Sequence, residues 1–231
     1  SYQPTYIGHL GQIKKAMKQI AASKKPVLYT GGGIITSGAS AELLKLAEQL
    51  SIPVVNTLMG LGGFPGNHKL FLGMLGMHGT YAANMAITSS DLIIAIGARF
   101  DDRATGKVDE FAPHAKIIHV DIDPTSISKN IKVDIPIVGD SKNVLKKMVE
   151  IADEEKEEFK ACKASIAPWL SETEQWKKDF PLTYVRNGTL KPQYVIEKVF
   201  ELTKGKAIIT TEVGQNQMWT AQFFQFEQPN R

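Results

Sequence analysis

Five short apolar runs recur in the first part of the chain, separated by stretches with helical periodicity or by long polar connections. The runs occupy residues 26–30, 52–57, 91–98, 116–123 and 135–140. Short runs that are apolar throughout are typical of strands buried on both faces of a sheet. The connections are long enough for parallel crossovers. The sequence therefore predicts an α/β fold, a doubly wound parallel sheet with helices on both faces.

The connections differ in character. Residues 9–22, 40–50 and 81–90 carry apolar side chains at helical spacing, which predicts three helices. The long segment after the second run is instead interrupted by glycines, so it is predicted to be a loop. These glycines are Gly60, Gly62, Gly63, Gly66, Gly73, Gly76 and Gly79.

The second part of the chain is organised differently. Residues 141–180 are helical in pattern and highly charged, and Pro168 and Pro181 are expected to end that helical region in a linker. We expect one domain over residues 1–170, a linker over 171–190 and an incomplete second α/β unit over 191–231. That unit is predicted to hold a helix over 191–203 and a strand over 206–214, attached only loosely.

Composition narrows the classes of protein. The net charge of +3 is too small and too dispersed to favour nucleic acid. The single cysteine, Cys162, cannot form an internal disulfide, which indicates a reducing compartment and a cytoplasmic protein. No apolar run approaches the roughly 20 residues that span a bilayer. The chain begins without Met, as a piece of a longer protein would.

Each of the five predicted strands ends in glycine, acidic or hydroxyl residues, in the sequences TGGG, NTLMG, GARFDD, DIDPTS and GDS. Ligands of open parallel sheets bind outside the carboxyl ends of the strands, where glycines let the backbone approach phosphate. Five such ends predict an extended dinucleotide ligand. The nicotinamide fingerprint GxGxxG is absent, because GGGIITSG does not keep its spacing.

Acidic residues at the later strand ends refine this prediction. Asp121 and Asp123 could accept hydrogen bonds from ribose hydroxyls, and Asp140 could bond an adenine amine or the neighbouring backbone. For Asp123 and Asp140, capping of the following helix is an equally good interpretation.

The loop RFDDRATG over residues 99–106 concentrates charge after a buried strand. Arg99 and Arg103 would face a phosphate or carboxylate, and the adjacent aspartates could hold Arg103 through bidentate bonds. Surface salt bridges are the alternative. His78 lies in a glycine-rich loop that favours ligand contact, and Met74 and Met77 could pack on a flat ring or simply fill the core.

The order TGGG, NTLMGLG, LGMLGMHGT, GARFDDRATGKVDEFA, HVDIDPTSISKN and VGD resembles the middle domain of acetolactate synthase (acetohydroxyacid synthase) catalytic subunits. TTEVGQNQMWTAQFF resembles the start of the C-terminal domain of that thiamine-diphosphate-dependent family. The resemblance implies an FAD-binding middle domain over 1–170 and a truncated thiamine-diphosphate-binding domain over 191–231. The reaction implied is decarboxylating condensation of two pyruvates, or of pyruvate and 2-oxobutyrate, in branched-chain amino acid biosynthesis.

The resemblance also implies individual roles. FAD would be bound by Gly32, Gly33, Thr57, Leu58, Met59, Leu75, Gly76, Met77, His78, Gly97, Ala98, Arg99, Asp101, Arg103, Asp121, Ile122, Asp140 and Ser141. Thiamine diphosphate would be bound by Val213, Gly214, Gln215 and Asn216. Asp102 and Arg103 would line the channel of the 2-oxoacid substrate. Asn216 stands where this family often has histidine, and Glu212 where it often has glycine or aspartate.

The family's activating glutamate and its magnesium motif lie outside this sequence, so no catalytic or metal-binding residue is expected here and the chain should be inactive alone. Full-length relatives are expected to form homodimers or homotetramers, with a possible small regulatory subunit, and to lie in the cytoplasm or, in eukaryotes, in plastids or mitochondria. A pyruvate oxidase, a glyoxylate carboligase and a stand-alone nucleotide-binding module are the alternatives.

Overall fold

A computed structural model describes residues 3–231, apart from the side chain of Asp109, and its centre is one parallel sheet of six strands. Their order is β3-β2-β1-β4-β5-β6, and every neighbouring pair is parallel. The predicted doubly wound α/β fold is confirmed. The strands are β1 (Pro26–Thr30), β2 (Val54–Asn56), β3 (Phe71–Met74), β4 (Leu92–Ile96), β5 (Lys116–Asp121) and β6 (Ile135–Val138).

Helices cover both faces of the sheet, as parallel crossovers require. The helices of the described residues are α1 (Leu10–Ala22), α2 (Gly32–Thr36), α3 (Ser40–Leu50), α4 (Tyr81–Ser89), α5 (Asp102–Thr105), α6 (Ser141–Glu154), α7 (Lys156–Asp179), α8 (Pro192–Thr203) and α9 (Gln215–Phe223). Short 3₁₀ turns lie at Leu58–Gly60, Val108–Glu110 and Pro124–Ser126. β1 and β4, at the centre, are buried along their whole length because helices cover both sides.

Strand β3 corrects the predicted loop. Phe71–Met74 pairs with β2, although the register shifts between Val54 and Val55. Gly73 has φ +104°, a backbone conformation that glycine adopts without strain. The glycines that made this segment look like a loop instead allow an irregular edge strand.

Helix α7 corrects the expected break at Pro168, which lies inside the helix. The neighbouring Trp169 is fully buried, and its Nε1 donates a hydrogen bond of 3.0 Å to the carbonyl oxygen of Pro26. Trp176 packs edge-on against Trp169 with ring centroids 5.5 Å apart. This packing offsets the roughly 3 kcal/mol that an internal proline costs. Because α7 continues to Asp179, we propose that the first domain ends there rather than at residue 170.

The C-terminal part departs from its prediction in two ways. Residues 206–214 are not a strand, because the described residues offer them no strand to pair with. Nor is the end of the chain loosely attached, since Phe224 is 3 % exposed and the backbone N–H of Gly66 donates to the carbonyl oxygen of Phe226. In the part of the chain that the structure describes, no helix combines the length and apolar character needed to cross a membrane.

Candidate functional site

A cleft of about 840 Å³ opens at the carboxyl ends of the strands, over the boundary between β1 and β4. At this boundary the strand order reverses direction, which is where open α/β sheets bind their ligands. The cleft is lined by Gly31, Gly32, Gly33, Thr57, Leu58, Met59, Met74, Leu75, Gly76, Met77, His78, Gly97, Ala98, Arg99, Asp101, Arg103, Ala104, Asp121, Val213, Gln217 and Met218.

The floor of the cleft is made of two glycine turns that touch backbone to backbone. The N–H of Gly33 donates to the carbonyl oxygen of Gly97 at 3.0 Å. A Cβ on Gly97 would lie 2.6 Å from the Cα of Gly33, and Gly97 also has φ +57°. Gly32 also lines the cleft, and a Cβ added there would have Met59 as its nearest neighbour. Glycine is therefore required here for close approach and for backbone conformation.

The side walls of the cleft are apolar. Met59 follows β2 and Met77 follows β3, and they are 73 % and 85 % exposed. Leu58 and Leu75 lie beside them in the lining. Flexible methionines exposed on facing loops can close on a flat aromatic ring, and this arrangement favours such a ligand over core filling for Met77.

Arg99 and Arg103 add positive charge to the rim of the cleft. Among the described side chains, no carboxylate lies within the 4.0 Å ion-pair distance of either guanidinium. Two expectations are thus wrong for the described side chains: the arginines make no surface salt bridge with them, and Asp101 and Asp102 do not hold Arg103. Two unpaired guanidinium groups at one rim suit an anionic ligand.

Beneath this rim, β5 contributes His119 and Asp121. The fully buried His119 donates from Nε2 to the carbonyl oxygen of Ala98 at 3.0 Å, which assigns the proton to Nε2. Burial lowers the pKa of His119, against the opposing effect of the Asp121 carboxylate 3.9 Å away. A neutral His119 therefore supports the peptide before Arg99, and Asp121 presents a carboxylate to the cleft.

Most of the predicted flavin contacts meet in this cleft, and the exceptions are Ile122, Asp140 and Ser141. Asp140 caps α6 by accepting a hydrogen bond of 3.0 Å from the N–H of Asn143, so the capping interpretation describes its contact. Asp123 likewise caps a 3₁₀ turn through Thr125, which lowers the pKa of its carboxyl. Asp102, predicted to bind substrate, begins α5 and does not line the cleft.

One wall of the cleft was missed by sequence reasoning. Gln217 and Met218, in the first turns of α9, lie in the same cleft as the glycine turns. The predicted diphosphate-binding residues are adjacent: Val213 lines the cleft, Gly214 caps α9, and Gln215 and Asn216 begin it. The motif GQNQMW marked this segment, but nothing local to it indicates that it folds back onto the sheet.

A family model described as the central domain of thiamine pyrophosphate enzymes matches residues 13–148, which is more than half of the chain. The chain belongs to this family. The match covers α1 through most of α6, including all six strands and the glycine turns of the cleft.

Relatives within the family extend over the whole chain. An acetolactate synthase large subunit of Buchnera aphidicola is 53 % identical over 100 % of the chain. That of Haemophilus influenzae is 50 % identical over 99 %, and the isozyme 3 large subunit of Escherichia coli is 48 % identical over 100 %. The chain spans about 40 % of the length of these relatives.

Proposed function

We propose that this chain is the flavin-binding part of an acetolactate synthase catalytic subunit. The complete protein would join two pyruvates, or pyruvate and 2-oxobutyrate, with release of carbon dioxide. The similarity to three large subunits supports the reaction class. The observation that carries the flavin assignment is the cleft at the strand-order reversal, with a glycine floor, methionine walls and two arginines that pair with no described carboxylate.

FAD fits the chemistry of this lining. A cleft of about 840 Å³ lies within the range of sites for large cofactors. The glycine floor admits a phosphate close to the backbone, and Arg99 would balance its charge. Met59 and Met77 would pack on a flat ring. Asp121 would accept from a ribose hydroxyl, while assignment of Asp140 and Ser141 to the adenosine end has no support from the cleft lining.

Thiamine diphosphate, when bound, supplies a ring that stabilises carbanions. The residues of this chain near it would be Val213 through Asn216, whose backbone and amide groups donate to a diphosphate. Arg103 would orient the carboxylate of the 2-oxoacid, and the apolar walls would exclude water from the reacting carbons. Magnesium, homodimers or homotetramers, a regulatory subunit, a cytoplasmic location and a role in branched-chain amino acid biosynthesis are part of the same proposal.

The test is made on the complete protein. It should purify with bound FAD, form acetolactate from pyruvate when thiamine diphosphate and magnesium are added, and keep its flavin oxidised during anaerobic turnover. Reduction of the flavin by pyruvate would instead assign a pyruvate oxidase. Absence of both flavin and acetolactate formation would contradict the proposal.

A further inference from the structure

The chain segment that starts at the end of α9 lies on the loop after β2. Main-chain atoms of both segments take part in the contact. We define residues 222–229 as the clamp and residues 61–67 as the clamp-binding loop. The N–H of Gly66 donates to the carbonyl oxygen of Phe226 at 2.9 Å, and Asn67 donates to Glu227 at 2.9 Å. A side chain at Gly62 would overlap the carbonyl oxygen of Gln228.

The clamp also has an apolar anchor. Phe224 is 3 % exposed and lies between two aromatic neighbours. Its ring centroid is 5.3 Å from that of Phe200 on α8 and 4.9 Å from that of Phe226. Burial of this ring removes apolar surface from water and so favours the docked position of the segment. The clamp is therefore docked by both backbone and side-chain contacts.

Both partners of this contact continue into the cleft. The clamp-binding loop begins two residues after Met59, which lines the cleft together with Thr57 and Leu58. The clamp begins in the last two residues of α9, and the first turn of this helix places Gln217 and Met218 in the lining of the same cleft.

A further contact of the clamp is made with the loop after β3. The Nε2 of Gln222 donates a hydrogen bond of 2.8 Å to the carbonyl oxygen of His78, another residue of the cleft. The C-terminal end of α9 and the residues after it therefore contact two loops, those after β2 and β3, and both loops line the cleft.

From these contacts we infer that Gly62, Gly66 and Gln222 are positioning residues, which hold α9 against the cleft and thereby set its affinity for FAD. The inference rests on the proposed flavin site. Without the clamp, α9 would have to be ordered at the moment of binding, and the entropy cost would be subtracted from the binding free energy. With the clamp docked, the wall formed by Gln217 and Met218 is already in place.

Two glycines form a matched pair for the experiment. Gly62 and Gly188 both have φ +83°, a left-handed value at which alanine is strained. Gly188 has nothing within 4 Å of the added methyl group, whereas at Gly62 the methyl group meets the clamp. In the full chain, affinity for FAD is measured by quenching of flavin fluorescence. We expect Gly62→Ala to weaken binding about tenfold relative to Gly188→Ala, as for a wall that is competent in about a tenth of the molecules.

Gln222→Ala tests the same idea without strain, with Gln225→Ala on the exposed side of the clamp as its control. Gln222→Ala should weaken FAD binding measurably. In the presence of FAD, trypsin should cut after Lys204 and Lys206 more readily in Gln222→Ala than in Gln225→Ala. The inference about the clamp is wrong if FAD affinity is equal within each pair of variants and cleavage is equal within the glutamine pair. Normal FAD binding by the unmodified chain would then still support the flavin site. If Gly62→Ala does not fold, the glutamine pair decides alone. Failure of the unmodified chain to bind FAD would overturn the proposed function itself.

Discussion

The Nε2 atom of His119 lies 3.0 Å from the carbonyl oxygen of Ala98, so that strand β5 supports the peptide leading into Arg99. The ring packs edge-on against Phe100 at a centroid distance of 5.2 Å, and its Nδ1 has no hydrogen-bond partner among the described residues. Protonation would add a buried N–H donor with no acceptor at Nδ1, which is costly. The cleft is therefore supported by a histidine that must remain neutral.

This requirement predicts a pH dependence of stability. Because burial lowers the pKa of His119 in the folded state, the unfolded state takes up the proton first as the pH falls. The free energy of unfolding should therefore fall as the pH drops below about 6.5, the usual value for histidine. His119→Gln keeps an N–H donor but does not titrate, so urea unfolding should show a weaker loss of stability over this range.

His114 is exposed and makes a suitable control for that measurement. His114→Gln should keep the same acid sensitivity as the unmodified chain. If His119→Gln and the unmodified chain lose stability in parallel, the histidine does not carry the effect.

The contact between Gly97 and Gly33 predicts a large cost for a single methyl group. Gly97→Ala should lower the free energy of unfolding by about 1–3 kcal/mol more than Gly106→Ala, since overpacking adds to strain. Gly106 has a similar φ, +59° against +57°, but nothing lies within 4 Å of an added methyl group. Urea unfolding measures the difference. Equal losses in the two variants would mean that the glycine turns do not pack as tightly as described.

Substitutions of Arg99 and Asp140 are expected to change different quantities, FAD affinity in the first case and the free energy of unfolding in the second. Arg99→Ala should weaken FAD binding by roughly 1.5–3 kcal/mol, the range of a hydrogen bond to a charged group, with stability little changed. Asp140→Ala should do the reverse, lowering the free energy of unfolding by about 1 kcal/mol through loss of the α6 cap while FAD affinity stays constant. Flavin titration and urea unfolding of both variants decide. A loss of FAD affinity in Asp140→Ala would restore its predicted role at the adenosine end.

Arg103 is predicted to act on substrate in the complete enzyme. Arg103→Ala should reduce acetolactate formation by an amount equivalent to roughly 2–4 kcal/mol while flavin content stays near normal. Arg103→Lys should not restore the rate, because lysine lacks the planar fork that binds a carboxylate. Steady-state kinetics with pyruvate and 2-oxobutyrate make the comparison. Joint loss of flavin and activity would make Arg103 a cofactor ligand first.

Several features could be predicted because their signals are local. The buried strands are short runs of apolar residues, and the glycine and acidic residues that follow them mark the ligand edge of a parallel sheet. Gly97 and Arg99 were assigned to the cleft from such signals and from the family resemblance, and the structure places both there. Strand β3 was missed because its glycine weakens the local pattern, while pairing with β2 supplies what the sequence lacks.

The sequence by itself determined the parallel α/β architecture, because the apolar period and strand length leave few other ways to bury those side chains. It also placed the ligand edge at the glycine turns. Only the tertiary structure decided that Asp140 caps a helix, that α7 passes through Pro168, and that α9 forms a wall of the cleft. The course of α7 and the position of α9 depend on contacts between residues far apart in the chain, such as Trp169 with Pro26 and Gln222 with His78, and no local pattern encodes them. The Asp140 cap is a local contact with Asn143, for which the sequence left two interpretations open.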